Sequence, residues 1–144
     1  MYMDSQSNLI DDVTPLVELA RRQSVVIFSH CEHANSQHDF VKNDRDEKFR
    51  NDIQLDSSWM LFKKNNFSME FVQQWLKYYQ DGEKLKMNQF DNKDVGFEGP
   101  HEQDILSRLS LKMQIPTFRD PSHWGLGCME EHEGYYGTLI FRST

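Results

Sequence analysis

Val13, Leu16, Val17 and Ala20 fall at i, i+3, i+4 and i+7, a spacing that lays an apolar stripe along one side of a helix. Pro15 suits its first turn, and Arg21 and Arg22 suit its last. Residues 24 to 29, Ser-Val-Val-Ile-Phe-Ser, form a short β-branched run without alternation, which predicts a strand buried on both faces. Residues 30 to 52 lose all periodicity and read as a loop running into a short helix around Asp44 to Arg50. Ile53 to Phe62 carries the next strand. Ser57 and Ser58 interrupt it, either to let a substrate approach the backbone or to mark a bulge. After the turn at Lys63-Lys-Asn-Asn, Ser68 reads as a helix N-cap with Phe67 and Val72 as a hydrophobic staple. Val72, Trp75, Leu76 and Tyr79 then form the core face of that helix. Asp81 to Glu98 is polar and reads as a surface loop or lid. Gly99-Pro100 stops it, and Ile105, Leu106, Leu109 and Met113 set a helix over about 102 to 113. Ile115 to Phe118 is a short extended piece, and Tyr135 to Phe141 a closing strand.

The chain opens on Met1-Tyr2-Met3-Asp4, which reads as a strand ending in an acid; Asp4 is otherwise a polar residue of the terminus. A strand-end acid, a helix and a buried strand make a βαβ unit. This predicts an α/β fold, a mixed and mostly parallel sheet flanked by helices, with Asp4 at its carboxyl edge, where open α/β sheets bind ligands. The 144 residues, 38% of them hydrophobic, suffice for a single domain over 1–144. The net charge of -7 argues against a nucleic-acid surface, which needs a basic face. There is neither a signal-peptide pattern nor an apolar run of membrane-spanning length, so no transmembrane segment is expected. Cys31 and Cys128 stand far apart and read as free thiols of a reducing compartment, pointing to a cytoplasmic protein.

Two polar clusters invite chemistry. His101, Glu102 and Asp104 crowd the first turn of the last helix beside Gln103, where the helix dipole favours acids and capping is the plain reading. His30, Cys31, Glu32, His33, His38 and Asp39 offer zinc-type donors, but their spacing matches no closed tetrahedral site.

Glu102-Gln-Asp-Ile-Leu after a Gly-rich loop resembles the helix start that lines the active site of GT-A-type glycosyltransferases of bacteria and viruses. Leu55-Asp-Ser-Ser-Trp-Met-Leu-Phe-Lys-Lys-Asn with Phe71-Val-Gln-Gln-Trp-Leu resembles the strand and helix before it in that family, and Phe118-Arg-Asp-Pro-Ser-His-Trp-Gly the segment after it. The resemblance runs from about residue 2 to the end. It implies transfer of a sugar from a nucleotide sugar to a glycan or other hydroxyl acceptor, as in polysaccharide biosynthesis. Asp104 and Glu102 are then the candidate catalytic carboxylates. Ser57, Ser58, His101 and Gln103 would line the donor and acceptor site, with Lys42 and Asp44 from Phe40-Val-Lys-Asn-Asp, whose own pattern is a solvated loop. Tyr2-Met-Asp-Ser-Gln sits where the family's Asp-x-Asp metal motif would be. The implied cofactor is a divalent Mn or Mg held by Asp4 and His123, with His132 in reserve, and weakened because Gln6 replaces the second acid. The family's nucleotide-binding half precedes that motif, so the chain is expected to be the C-terminal portion of such a domain. It is then expected to bind nucleotide sugars weakly alone, and to associate with itself or a partner chain through its first strand. Two other classes remain: a non-catalytic binding or scaffold domain derived from a transferase, and a small metal-binding protein built on the His-rich stretch.

Overall fold

The computed structural model describes residues 1–34, 46–81, 102–122 and 140–142. In chain order the elements are β1 (Tyr2–Met3), β2 (Ser7–Leu9), α1 (Thr14–Arg22), β3 (Val25–Ala34) and α2 (Glu47–Asn51). There follow β4 (Ile53–Phe62), α3 (Asn66–Gln80), α4 (Glu102–Met113), β5 (Thr117–Arg119) and β6 (Ile140–Arg142).

The main sheet has four strands in the order β1-β4-β3-β5. β4 runs antiparallel to both β1 and β3, and β3 runs parallel to β5. The fold is therefore α/β with a small mixed sheet, but the sheet is not mostly parallel: one of its three strand pairings is parallel. The expected βαβ unit is modified in the same way. β1 and β3 point in one direction with α1 between them in sequence, yet β4 is inserted between them in the sheet. β2 and β6 form a separate antiparallel pair, Ser7 opposite Arg142 and Leu9 opposite Ile140. The sequence pattern did not announce β2.

The sheet is buried on both faces, as the unalternating apolar run at 24–29 requires. On one face Val26 and Phe28 of β3 join Trp59, Leu61 and Leu16 of α1. On the other Val25 and Ile27 join Leu55, Met60, Phe71 of α3, and Leu106 and Leu109 of α4. β4 changes phase along its length. Leu55 and Met60, five residues apart, lie on one face, whereas Trp59 and Leu61 lie on the other. The register explains it: Val26 pairs with Leu61 and Phe28 with Asp56, so two steps on β3 match five on β4. Ser57 and Ser58 lie in this bulge, one of the two roles expected of them.

β3 extends to Ala34, so residues 30 to 34 belong to a strand and not to the expected loop. Helix α3 begins earlier than Ser68. Asn65 is the N-cap, its side chain accepting the Ser68 N–H at 2.9 Å while the Ser68 hydroxyl accepts the Asn65 N–H at 3.2 Å. This reciprocal box turns the helix so that Ser68 and Phe71 are buried, with Trp75 and Tyr78 packed beside them. The expected core face at Val72, Leu76 and Tyr79 is exposed, and Phe67 and Val72 form no staple. Helix α4 ends in a Schellman arrangement built on a non-glycine residue. Gln114 takes φ 55, the Ile115 N–H reaches the Ser110 carbonyl at 2.9 Å, and the Gln114 N–H reaches Leu111 at 3.3 Å. Ile115 is thereby buried against the core. No described helix is long and apolar enough to cross a membrane.

Candidate functional site

β1, β3 and β5 all run in one direction, so their carboxyl ends share an edge of the sheet. Polar side chains collect along that edge and along the stretch of β4 that faces it. Asp4 follows β1, and its N–H donates to the Ser58 carbonyl of β4 at 2.7 Å. Its Oδ1 accepts the Tyr2 hydroxyl at 2.7 Å. Four residues back along β4, the Gln54 amide donates to Asp104 Oδ1 on α4 at 3.2 Å. The Ser107 hydroxyl accepts the Leu55 N–H at 2.9 Å, so the first two turns of α4 are fastened to β4 by side chains. Asp104 is buried in this arrangement, as are Gln54, Ser57 and Ser58. Asp104 is thus more than an exposed helix cap: its carboxylate reaches across to a strand 50 residues earlier in the sequence.

Three further residues join the edge that sequence reasoning did not single out. Asp56 is fully buried within β4, and Arg119 and Asp120 are buried at the end of β5. Asp56 and Asp120 are held alike: Oδ1 of Asp56 accepts the Ser58 N–H and Oδ1 of Asp120 accepts the Ser122 N–H, both at 2.7 Å. Each is an Asp-x-Ser triplet closing an Asx turn, and that repeat was the available signal. Burial pushes the Asp120 carboxyl up to about 6. The hydrogen bonds from Ser122 pull against this, the Asp56 charge adds to the rise, and Arg119 opposes it.

Of the expected site residues, the structure links Asp4 and Asp104 to one strand, with Ser57 and Ser58 between their attachment points. Gln103 sits beside Asp104, half-buried, and Glu102 opens α4. Lys42, Asp44, His101, His123 and His132 lie outside the described residues, as do Cys128 and the predicted lid over most of 81–98. Gln6 lies in the exposed turn after β1. Among the described residues, no group of three or more His, Cys, Asp or Glu side chains is arranged to hold a metal ion.

Asp120 predicts a measurable pH dependence. Between its usual 3.8 and about 6 the native chain holds a proton that the unfolded chain has released. Folding takes up a proton there, so Asp120's contribution to stability falls as pH rises through this window and is level above it. The loss amounts to about 3 kcal/mol at 1.36 kcal/mol per pH unit. Urea midpoints of Asp120→Asn and the unsubstituted chain, measured from pH 4 to pH 7, are expected to diverge across the window, with only the unsubstituted chain carrying this loss. Parallel profiles would show that Asp120 titrates normally.

The chain is thus an α/β protein with a small mixed sheet and an acid-rich carboxyl edge. No protein-family model matches it, and neither a characterised protein nor a solved structure does.

Proposed function

We propose that the chain is a GT-A-type glycosyltransferase domain, or part of one, that moves a sugar from a nucleotide-sugar donor to a hydroxyl acceptor. The observation that supports this reading is that Asp4, through its backbone N–H, and Asp104, through its carboxylate, are both bonded to β4, at Ser58 and Gln54. The transfer breaks the bond from the anomeric carbon to the diphosphate and forms one to the acceptor oxygen. The acceptor's proton passes to a base, and the leaving diphosphate keeps the electron pair. Carboxylates serve both demands, stabilising positive charge at the sugar carbon and taking up the proton.

Asp104 is the sugar-facing carboxylate in this reading. Gln54 fixes one of its oxygens and so its direction. Gln103 precedes Asp104 in α4, and Ser57 and Ser58 belong to β4, the strand to which it is fastened; Glu102, His101, Lys42 and Asp44 supply the remaining donor and acceptor contacts in this reading. Asp120, with its proton affinity raised towards neutrality, is suited to take up a proton. The divalent Mn or Mg expected at Asp4 and His123 is part of the same proposal. Of the two, the described residues include Asp4 alone, and one carboxylate beside the neutral amide of Gln6 is not a full donor set for a hard cation. When bound, such an ion neutralises charge on the leaving diphosphate.

Saturation-transfer NMR with a panel of uridine and guanosine diphosphate sugars, at millimolar ligand, tests the reading on the full chain. Enhancement of sugar-ring protons with one donor, and its loss in Asp104→Asn, is the expected result. A chain silent to every nucleotide sugar, with and without Mn or Mg, would instead favour the scaffold class.

A further inference from the structure

We propose that Asp120 and Asp56 form a proton-linked latch behind Asp4: the charge on Asp120 sets how Asp56 holds the bulge of β4, and the bulge in turn holds Asp4. The two acids flank β3. Asp56 of β4 and Phe118 of β5 both pair with Phe28 of β3, and Asp120 follows two positions after Phe118. Neighbouring strands lie about 5 Å apart, so β4 and β5 are separated by about 10 Å across β3. Neither acid reaches solvent, Asp56 being 0% and Asp120 1% exposed. Two carboxylates buried at this spacing act on each other more strongly than a surface pair, because water and salt do not screen them.

A chain of hydrogen bonds runs from Asp56 to Asp4. Asp56 Oδ1 accepts the Ser58 N–H at 2.7 Å, and the Ser58 carbonyl accepts the Asp4 N–H at 2.7 Å. Ser58 lies in the bulge, where the ladder between β3 and β4 is interrupted, so these two bonds place its peptide groups. The other end is built alike, with Asp120 Oδ1 accepting the Ser122 N–H. Among the described residues, the charges acting on Asp120 are Asp56 from β4 and Arg119 from β5. α1 covers Phe28 and Phe118 with Leu16, Leu19 and Ala20, and its Glu18 and Arg21 pair with each other at the surface. Asp104 of α4 is bonded to Gln54, two positions before Asp56. Because burial pushes the Asp120 carboxyl up to about 6, Asp120 is mostly neutral below that pH and mostly charged above it. Neutral Asp120 lets Asp56 hold Ser58 as described. Charged Asp120 repels Asp56, and Ser58 and Asp4 loosen together. That this regulates donor binding rests on the transferase reading, in which Asp4 belongs to the donor site; the latch itself does not.

Proton–nitrogen correlation NMR of the full chain, from about pH 5 to about pH 8, reads the latch without any nucleotide sugar, so its failure is distinct from failure of the transferase reading. The amides of Ser122, Ser58 and Asp4 are expected to shift together with one midpoint at about 6. Asp120→Asn keeps an oxygen for the Ser122 N–H and should remove the transition from all three. Asp56→Asn should remove it from Ser58 and Asp4 and move the Ser122 midpoint down, because a charge that raises it is gone. Histidines titrate in the same range, and His30 follows Ser29 in β3, so the transition should also survive His30→Gln. A Ser122 amide that titrates while Ser58 and Asp4 stay still overturns the proposal, and that comparison needs no variant. A transition that persists in Asp120→Asn, or vanishes in His30→Gln, overturns it as well.

Discussion

Asp104→Asn is expected to lower sugar transfer by about two to four orders of magnitude while leaving the urea midpoint of the chain nearly unchanged. Asp104 is 3% exposed, and its Oδ1 accepts the Gln54 amide at 3.2 Å. Asparagine keeps that oxygen and nearly the same volume, so the fastening of α4 to β4 survives. What is lost is the negative charge and the ability to take a proton or stabilise a cationic sugar carbon. Transfer from the donor identified by NMR, followed by chromatographic separation of the glycosylated acceptor, gives the rate. Activity within a factor of a few would reduce Asp104 to a structural clasp between helix and strand, and the proposed role would fall. A reciprocal change, Gln54→Leu, removes the partner and not the acid. It should cost stability without deleting the charge, which separates the two functions of the contact.

The largest effect on stability is expected from Phe71→Ala, about 3 to 5 kcal/mol. Phe71 has no solvent exposure. Its ring lies 6.4 Å from that of Phe62 and 6.5 Å from that of Trp75, and it closes the cluster that joins α3 and α4 to the sheet. Natural domains have only about 5 to 15 kcal/mol in total, so this one truncation removes a large share. Leu76→Ala, five positions along the same helix, should change the stability of the monomer by less than about 0.5 kcal/mol, because Leu76 is 56% exposed. Urea denaturation of both variants at a concentration below any association makes the comparison. Equal losses would mean that α3 is turned the other way about its axis.

That contrast also shows why the hydrophobic pattern misled at α3. Val72, Leu76 and Tyr79 share helical spacing with Trp75 and are large, so the expected core face ran through all four; of these Trp75 does pack against the core, while Phe71, left out of that face, is its buried centre. The deciding residue is Ser68, which looks like a surface cap. Its hydroxyl donates to the Lys63 carbonyl at 2.6 Å and accepts from Asn65, and these bonds permit its burial and fix the rotation of the helix. A polar residue that satisfies itself on the local backbone is invisible to a periodicity argument. Elsewhere the pattern located the elements: β4 and α4 run where the runs and stripes put them because most of their apolar positions meet the core, and α1 runs where its stripe put it although Leu16 is buried and Val17 is exposed. β3 was truncated at residue 29 because His30, Cys31, Glu32 and His33 carry no strand signal of their own. Of the candidate site, Asp104 was singled out by the resemblance of Glu102-Gln-Asp to a family motif; its place after Gly99-Pro100 alone suggested only a helix cap, and its burial against Gln54 was not legible. Asp56 and Asp120 were not, since the Asp-x-Ser repeat they share signals only a local turn, and the tertiary fold alone brings the two acids within electrostatic reach. The parallel character of the sheet was over-read for a related reason. Two strands that share a direction need not touch, and nothing in a single sequence says that β4 is inserted between β1 and β3.

The phase change in β4 has a consequence for how this chain tolerates genetic change. Upstream of Ser57 the strand feeds odd-numbered Leu55 to the side of α3 and α4; downstream, even-numbered Met60 takes that side. Exchanging either serine for another small residue leaves this count intact. Deleting or inserting one codon between 56 and 59 does not. A shift of one residue would send Trp59 towards α4 and Met60 towards α1, exchanging the side chains of two finished cores at once. Lineages of this protein should therefore vary in the identity of residues 57 and 58 while conserving their number.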